Sequence, residues 1–131
     1  MNKSDNIEFE KYNAEAQKKW GGTDSYRQYE EKTADYTEQK KNDLTDEMNG
    51  IMADFALCMN DGKNPDSDEA QKLVETLQNH ITENYYLCTD EILSGLGQMY
   101  VADERFRNNI DRHADGTAAF IRDAIALRCR K

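Results

Sequence analysis

Residues 37–62 read TEQKKNDLTDEMNGIMADFALCMNDG, and this stretch decides the fold class. Its apolar residues are Leu44, Met48, Ile51, Met52, Phe55 and Met59, set three and four positions apart. That spacing puts them on one stripe of a 3.6-residue period, which a strand cannot do. Thr37 is placed to cap the first turn and Glu38 adds a carboxylate where the helix dipole favours one. Gly62 suits the left-handed position that ends a helix.

The same period continues downstream. After Pro65, Asp66 with Glu69 three residues on has the form of a capping box, and Ala70, Leu73, Val74, Leu77 and Ile81 carry the stripe towards Tyr85. A third helix is predicted from Thr89, with Ile92, Leu93, Leu96, Met99 and Tyr100. A fourth opens at Asp103 with Phe106 and Ile110, and a last begins at Gly116-Thr117 with Phe120, Ile121, Ala124 and Ile125. Asp103 reads as a cap and Arg105 as a structural ion-pair partner. Strand-type alternation is scarce, and valine occurs only at Val74 and Val101. Short loops between the helices imply that successive helices pack on one another. The expectation is an all-α fold with a compact multi-helix core over residues 37–131.

Upstream the chemistry changes. The first forty residues carry nine acidic and seven basic side chains, and Ile7 is their only branched aliphatic. Their apolar content is aromatic: Phe9, Tyr12, Trp20, Tyr26, Tyr29 and Tyr36. Burial worth about 25 cal/mol per Å² has to offset roughly 1–2 kcal/mol of backbone entropy per residue. Residues 1–36 are therefore expected to form a weakly ordered N-terminal arm that orders against a partner. Thr23 and Asp24 are suited to start a helix there.

Composition excludes several functions. The net charge is -9, and the pI near 4.7 agrees. Nucleic-acid binders carry a Lys/Arg face, and no basic run exists here, so direct DNA or RNA binding and docking on anionic membranes are not expected. Cys58, Cys88 and Cys129 are too few and too widely spaced for a disulfide framework or a zinc site. No apolar run approaches the roughly 20 residues of a membrane span, and the first ten residues, MNKSDNIEFE, lack a signal-peptide core. A cytoplasmic, monomeric domain is expected.

Catalytic constellations are missing as well. The only histidines are His80 and His113, there is no HExxH, and neither histidine follows a Glu by three positions. His80-x-x-Glu83 is only the reverse spacing. Gly95-Leu96-Gly97 lies within a helix and follows no strand, so it is no phosphate loop. No enzyme activity, metal or cofactor is expected. His80 stands one step off its helix's apolar stripe and reads either as a boundary histidine with a satisfied ring or as a polar handle in a ligand cleft. Tyr85, Tyr86, Tyr100 and Phe106 are equally open between core packing and a polar-edged pocket. Cys88, near a helix start, has the setting for a somewhat lowered thiol pKa.

Two motifs are more specific. One is Lys19-Trp20-Gly21-Gly22-Thr23-Asp24-Ser25-Tyr26, continued by Glu31-Lys32-Thr33-Ala34-Asp35-Tyr36-Thr37; the other is Met99-Tyr100-Val101-Ala102-Asp103-Glu104-Arg105-Phe106, followed by Asn109-Ile110 and Arg122-Asp123-Ala124-Ile125. The pattern resembles the TipAS antibiotic-recognition domain, the effector-binding part of a branch of MerR-type regulators, from about Glu8 to Leu127. The resemblance implies a globin-like helical domain without haem that binds thiopeptide antibiotics and other bulky hydrophobic molecules, with an N-terminal segment that closes over the drug. It also implies a longer regulator with a DNA-binding helix-turn-helix, of which this chain would be a separately made or excised effector domain. In antibiotic-capturing relatives a cysteine bonds the drug; the motif aligns Gly95 with that cysteine and Cys88 with a second one upstream.

On this reading the ligand cleft is expected to use Trp20 and Tyr26 from the arm and Phe55, His80, Tyr85, Gly95, Met99 and Tyr100 from the helices. Trp20 would be a flat apolar lid, and the tyrosines would supply hydrogen-bonding edges. The alternative is a protein-interaction module whose arm folds on a partner chain.

Overall fold

The computed structural model describes residues 24–129, which form six helices and, among the described residues, no strand. They are α1 Asp24–Thr33, α2 Glu38–Asn60, α3 Asp68–Asn84, α4 Asp90–Ala102, α5 Glu104–Asp111 and α6 Thr117–Cys129. The fold class expected from the periodicity is the one observed. The expected cap at Thr23 lies outside the described residues.

Local chemistry sets the helix ends. Thr37 Oγ1 accepts from Lys40 N at 3.1 Å and opens α2. At its other end Gly62 has φ +81. Gly62 N donates to Met59 O at 3.0 Å and Lys63 N to Cys58 O at 3.2 Å, the paired bonds of a Schellman motif. Thr89 caps α4 by accepting from Ile92 N. Asp103 ends α4 and begins α5, and its carboxylate accepts from Arg105 N at 2.9 Å and from Arg105 Nη2 at 2.8 Å. Gly116, at φ +91, precedes α6.

The start of α3 differs from the expected capping box. Ser67, not Asp66, is the cap: its Oγ accepts from Ala70 N at 3.2 Å. Ser67 N donates to Asn64 O at 3.0 Å. That bond closes a turn with Pro65 and Asp66 at its two central positions, which suits the fixed φ of proline. Asp66 is thereby committed to the turn, and Glu69 falls one place early for a capping box.

The described residues divide into two compact units, residues 24–49 with 80–87 and residues 50–79 with 88–129. In the second, α4 packs along α6, and α5 contacts both. Phe55, Val74, Leu77, Leu93 and Ile121 are each 0% exposed there. Burial of a side chain of that size contributes about 1.5–3 kcal/mol. Phe55 meets Phe120 edge-on, with centroids 6.5 Å apart. Gly97 lets α4 approach α6: a Cβ built on it would stand 3.2 Å from Ile125 Cδ1 and 3.5 Å from Arg122 Cα.

Two glutamines of α3, seven residues apart and so on one face, tie this unit together. Gln71 Nε2 donates to Ala124 O at 3.0 Å and to Pro65 O at 2.9 Å. Gln78 Nε2 donates to Cys88 O at 2.8 Å while its Oε1 accepts from Arg128 Nε at 3.2 Å.

In the first unit Leu44, Thr45, Met48, His80, Ile81 and Tyr85 are buried. The α1 sequence, DSYRQYEEKT, has no aliphatic residue beyond side-chain stems. Residues 24–36 are attached to residues 80–87 mainly through polar groups. Lys32 Nζ donates to Thr82 O at 2.7 Å and Glu83 O at 3.3 Å. Tyr36 Oη donates to Asn84 O at 2.6 Å. The last carbonyls of a helix have no intrahelical donor and carry partial negative charge, so a lysine and a tyrosine hydroxyl are apt partners. Leu87 N in turn donates to Gln28 Oε1 at 2.9 Å.

Candidate ligand site

Four rings line up in the first unit. Tyr26 and Tyr29 stand one turn apart on α1 and stack at 6.1 Å with an interplanar angle of 27°. Tyr29 stacks on Tyr85 at 6.1 Å and 19°. His80 meets Tyr85 edge-on at 6.1 Å and 69°. His80 lies in the last turns of α3 and Tyr85 one residue past its end, and their rings meet although five positions on a helix point about 140° apart. The Tyr85 amide still closes the helical bond to Ile81 O at 2.9 Å.

His80 is 9% exposed, and its Nε2 is buried with no hydrogen-bond partner among the described residues. Nδ1 lies 3.4 Å from Asn84 Nδ2 and 3.9 Å from Glu47 Oε2. Burial pushes the ring pKa below that of an ordinary histidine; Glu47 and Glu83 oppose this, and Lys40 adds to it. His80 is thus neutral at pH 7. Neither sequence reading describes it fully, because the ring is buried like a core histidine yet has one nitrogen unsatisfied. Burial also drives the Tyr85 hydroxyl far above the usual tyrosine range, with Tyr29, Tyr36 and Glu47 adding to the shift. The Tyr26 hydroxyl is raised by desolvation and by Glu30, whose carboxylate accepts its hydrogen bond. The ladder is therefore uncharged at pH 7 and apolar on its faces.

The sequence-expected residues divide as follows. Tyr26, Tyr85 and His80 are brought together, with Tyr29 as the link that sequence reasoning left out of the site. The signal for Tyr29 was available, since it sits three residues from Tyr26 on the same helix face. Trp20 lies outside the described residues. Phe55, Gly95, Met99 and Tyr100 belong to the second unit. Phe55 is fully buried against Phe120, and Tyr100 pairs with Phe106 at 5.7 Å, so these are two separate ring pairs. Met99 is half-buried on α4, and Gly95 is exposed, with nothing within 4 Å of a Cβ built on it.

Cys88 corrects the expectation of a lowered thiol pKa. It is 3% exposed, and burial pushes its pKa up to about 12, with Asp90 and Cys129 adding to the rise. Cys88 precedes the cap Thr89 and points its thiol to the Thr89 carbonyl at 3.9 Å. The helix start does not outweigh the loss of water around the thiolate. Among the described residues no group of three His, Cys, Asp or Glu side chains could hold a metal ion, and no helix is long and apolar enough to cross a membrane. In the second unit a groove of about 390 Å³ between the end of α2 and the start of α3 is lined by Leu57, Leu73, Thr76, Asp54 and Lys72 among others, none of them anticipated as site residues.

The first unit of this helical scaffold thus presents an uncharged ring ladder that ends at a histidine nitrogen without a partner among the described residues. The chain belongs to the TipAS antibiotic-recognition domain family, which it matches over residues 12–127. It is 41% identical over 116 residues to the HTH-type transcriptional activator TipA of Streptomyces coelicolor, covering 88% of this chain and 46% of that protein. Against the HTH-type transcriptional activator mta of Bacillus subtilis it is 34% identical over 116 residues, covering 88% of this chain and 44% of that protein. The chain thus spans about half the length of these curated relatives. Among solved structures, TipAS of Streptomyces lividans in complex with nosiheptide is similar with a TM-score of 0.81 and 40% identity, over 92% of this chain and 85% of that one. The antibiotic-binding domain of a TipA-class multidrug resistance transcriptional regulator gives a TM-score of 0.62 and 38% identity, over 66% of this chain and 93% of that one. These relatives are regulators and antibiotic-binding domains, not enzymes.

Proposed function

We propose that this chain binds bulky hydrophobic antibiotics of the thiopeptide type without turning them over, and thereby senses or sequesters them in the cytoplasm. The observation that carries this reading is the ring ladder Tyr26–Tyr29–Tyr85–His80, stacked at 6.1 Å intervals and closed by a buried nitrogen without a partner. The nosiheptide complex of the similar TipAS structure supports the ligand class. Tyr26, Tyr85 and His80 form the centre of the proposed site, and Trp20 is its proposed further member.

Binding is non-covalent on this reading. A glycine occupies the position where the resemblance puts the capturing cysteine, and Cys88 is buried with a thiol pKa near 12. The isolated chain acts as a monomer without contacting nucleic acid, and any link to transcription runs through a DNA-binding segment such as the curated relatives' names imply.

A thermal-shift series with nosiheptide tests the proposal. A ligand that binds only the folded state stabilises it by about 2.7 kcal/mol at a hundredfold excess over Kd. Melting curves unchanged by saturating nosiheptide, together with unchanged Trp20 fluorescence, would sink it. Amide shifts in residues 1–40 that respond only to an added protein would favour the partner-binding alternative.

A further inference from the structure

The orphaned nitrogen of His80 has a definite chemical polarity. Asn84 Nδ2 donates to the His80 main-chain carbonyl at 2.9 Å, which fixes the amide orientation, since a carbonyl requires a donor. The same Nδ2 faces His80 Nδ1 at 3.4 Å. An amide nitrogen cannot accept, so Nδ1 takes the acceptor role and the ring proton resides on Nε2. Glu47 Oε2, at 3.9 Å from Nδ1, lies beyond hydrogen-bond reach and does not draw the proton to that side. The lowered ring pKa agrees with a neutral imidazole. Nε2–H is therefore a donor, 9% exposed with its residue, that donates to nothing in the free protein.

We propose that His80 Nε2–H is the hydrogen-bond donor this site offers its ligand, and that the ligand accordingly carries an acceptor, a carbonyl oxygen or an unprotonated ring nitrogen, at the edge of a flat apolar surface. This inference rests on the ligand-binding reading above and adds the polarity of the group recognised. The flat surface belongs against the tyrosine faces next to the ring, since His80 meets Tyr85 edge-on and Tyr85 continues into the Tyr29 and Tyr26 stack. The α1 helix carries the Tyr26 and Tyr29 rings of that stack. It is joined to residues 82–87 by bonds to the Gln28 and Lys32 side chains and by the Tyr29–Tyr85 stack.

The full chain, labelled with ¹⁵N-histidine, decides the first half. Long-range ¹H–¹⁵N correlations at pH 7.5 should show His80 with Nε2 protonated and Nδ1 bare, with His80→Gln supplying the assignment against His113. The opposite tautomer, or an imidazolium, overturns the inference whether or not a ligand binds. Nosiheptide is the probe for the second half. His80→Phe keeps a flat ring without the donor and should raise the nosiheptide Kd about tenfold, the size of one hydrogen bond. His80→Gln restores an amide donor and should stay within about threefold of the wild type. The free His80→Phe protein should melt close to the wild type, because Nε2 has no partner to lose and Asn84 Nδ2, which loses Nδ1 at 3.4 Å, keeps its bond to the residue-80 carbonyl at 2.9 Å; a merely structural histidine would not split stability from affinity in this way. Should that variant fail to fold, the wild-type Nε2 resonance decides, and it must shift on saturation with nosiheptide. Equal affinity of wild type and His80→Phe, or an unmoved Nε2 resonance in the complex, overturns this inference and leaves the ligand-binding reading standing. Failure of the wild type to bind nosiheptide at all removes both.

Discussion

His80 stays neutral because water is kept from its ring, and that gives its contribution to stability a sign. The folded-state pKa is lowered from 6.5, so on acidification the unfolded chain takes up the proton first. The stability held by the neutral ring is complete above about pH 6.5 and is lost as pH falls from there through the folded value, below which both states carry the proton and the slope ends. Glu47 and Glu83 work against the shift and Lys40 works with it, so the window is set by burial and trimmed by charge. Melting curves between pH 7.5 and 5 should fall more steeply for the wild type than for His80→Gln, and parallel slopes would refute the assignment. Cysteine reactivity follows from the same cause. A thiol with a pKa near 12 is thiolate in only about one molecule in ten thousand at pH 8. Cys58 and Cys88 are buried and Cys129 is half-exposed. Native alkylation with iodoacetamide, read by peptide mass mapping, should therefore modify Cys129 first and Cys88 only on unfolding. At this scale the sequence located His80 at the margin of its stripe but left its role open. The unsatisfied nitrogen depends on which side chains of residues 24–49 approach the ring, and no helical period encodes that. Cys88 was misread for a related reason: a helix start is visible in sequence, and the loss of solvent is not.

Helix ends were the most legible feature because capping is local. Thr37, Gly62, Thr89, Asp103 and Gly116 all stand where their side chains or missing side chains require. The one displaced cap, Ser67 for Asp66, arose where two capping residues are adjacent and the turn through Pro65 chose between them. Contacts between helices were less legible. Gly95 and Gly97 look alike in sequence, yet positions two apart on a helix point about 200° away from each other. Gly97 therefore faces Ile125 and Arg122 on α6, and Gly95 faces open space. The two should respond oppositely to a side chain. Gly95→Ala meets nothing within 4 Å in a helix interior and should stabilise the protein by about 0.5–1 kcal/mol. Gly97→Val places branches beyond a Cβ already 3.2 Å from Ile125 Cδ1 and should destabilise by about 1–3 kcal/mol through overpacking. Urea denaturation of both variants checks the pair; a Gly97→Val protein as stable as the wild type would mean that α4 and α6 are not in close contact there.

Across the whole molecule, the apolar residues are unevenly divided, and that division shapes how a ligand is expected to act. Residues 37–131 hold nearly all the branched aliphatics, and the first forty hold Ile7 alone beside six aromatics. Periodicity made the all-α class legible because each helix of residues 37–131 carries its own stripe. It said little about residues 24–36, which bond through Lys32 and Tyr36 to the open carbonyls of α3 and stack Tyr29 on Tyr85, contacts that no aliphatic stripe announces. A segment rich in flat rings but poor in aliphatics gains burial readily from a flat apolar guest, because rings stack face to face without needing aliphatic partners. If nosiheptide supplies that burial, the stabilisation it gives draws partly on residues 1–23. A chain starting at Thr23 should then show a smaller nosiheptide-induced rise in Tm than the full chain at equal ligand excess, while Trp20→Ala in the full chain should reduce the rise by an intermediate amount. The comparison has to be made at one fixed ligand concentration, since at matched multiples of each variant's own Kd the stabilisation is the same for any simple site. The informative quantity is therefore the Kd itself, obtained by calorimetry and converted at 1.4 kcal/mol per tenfold. An unchanged Kd in the shortened chain would mean that the guest rests on residues 24–129 alone and that the leading aromatics take no part in holding it.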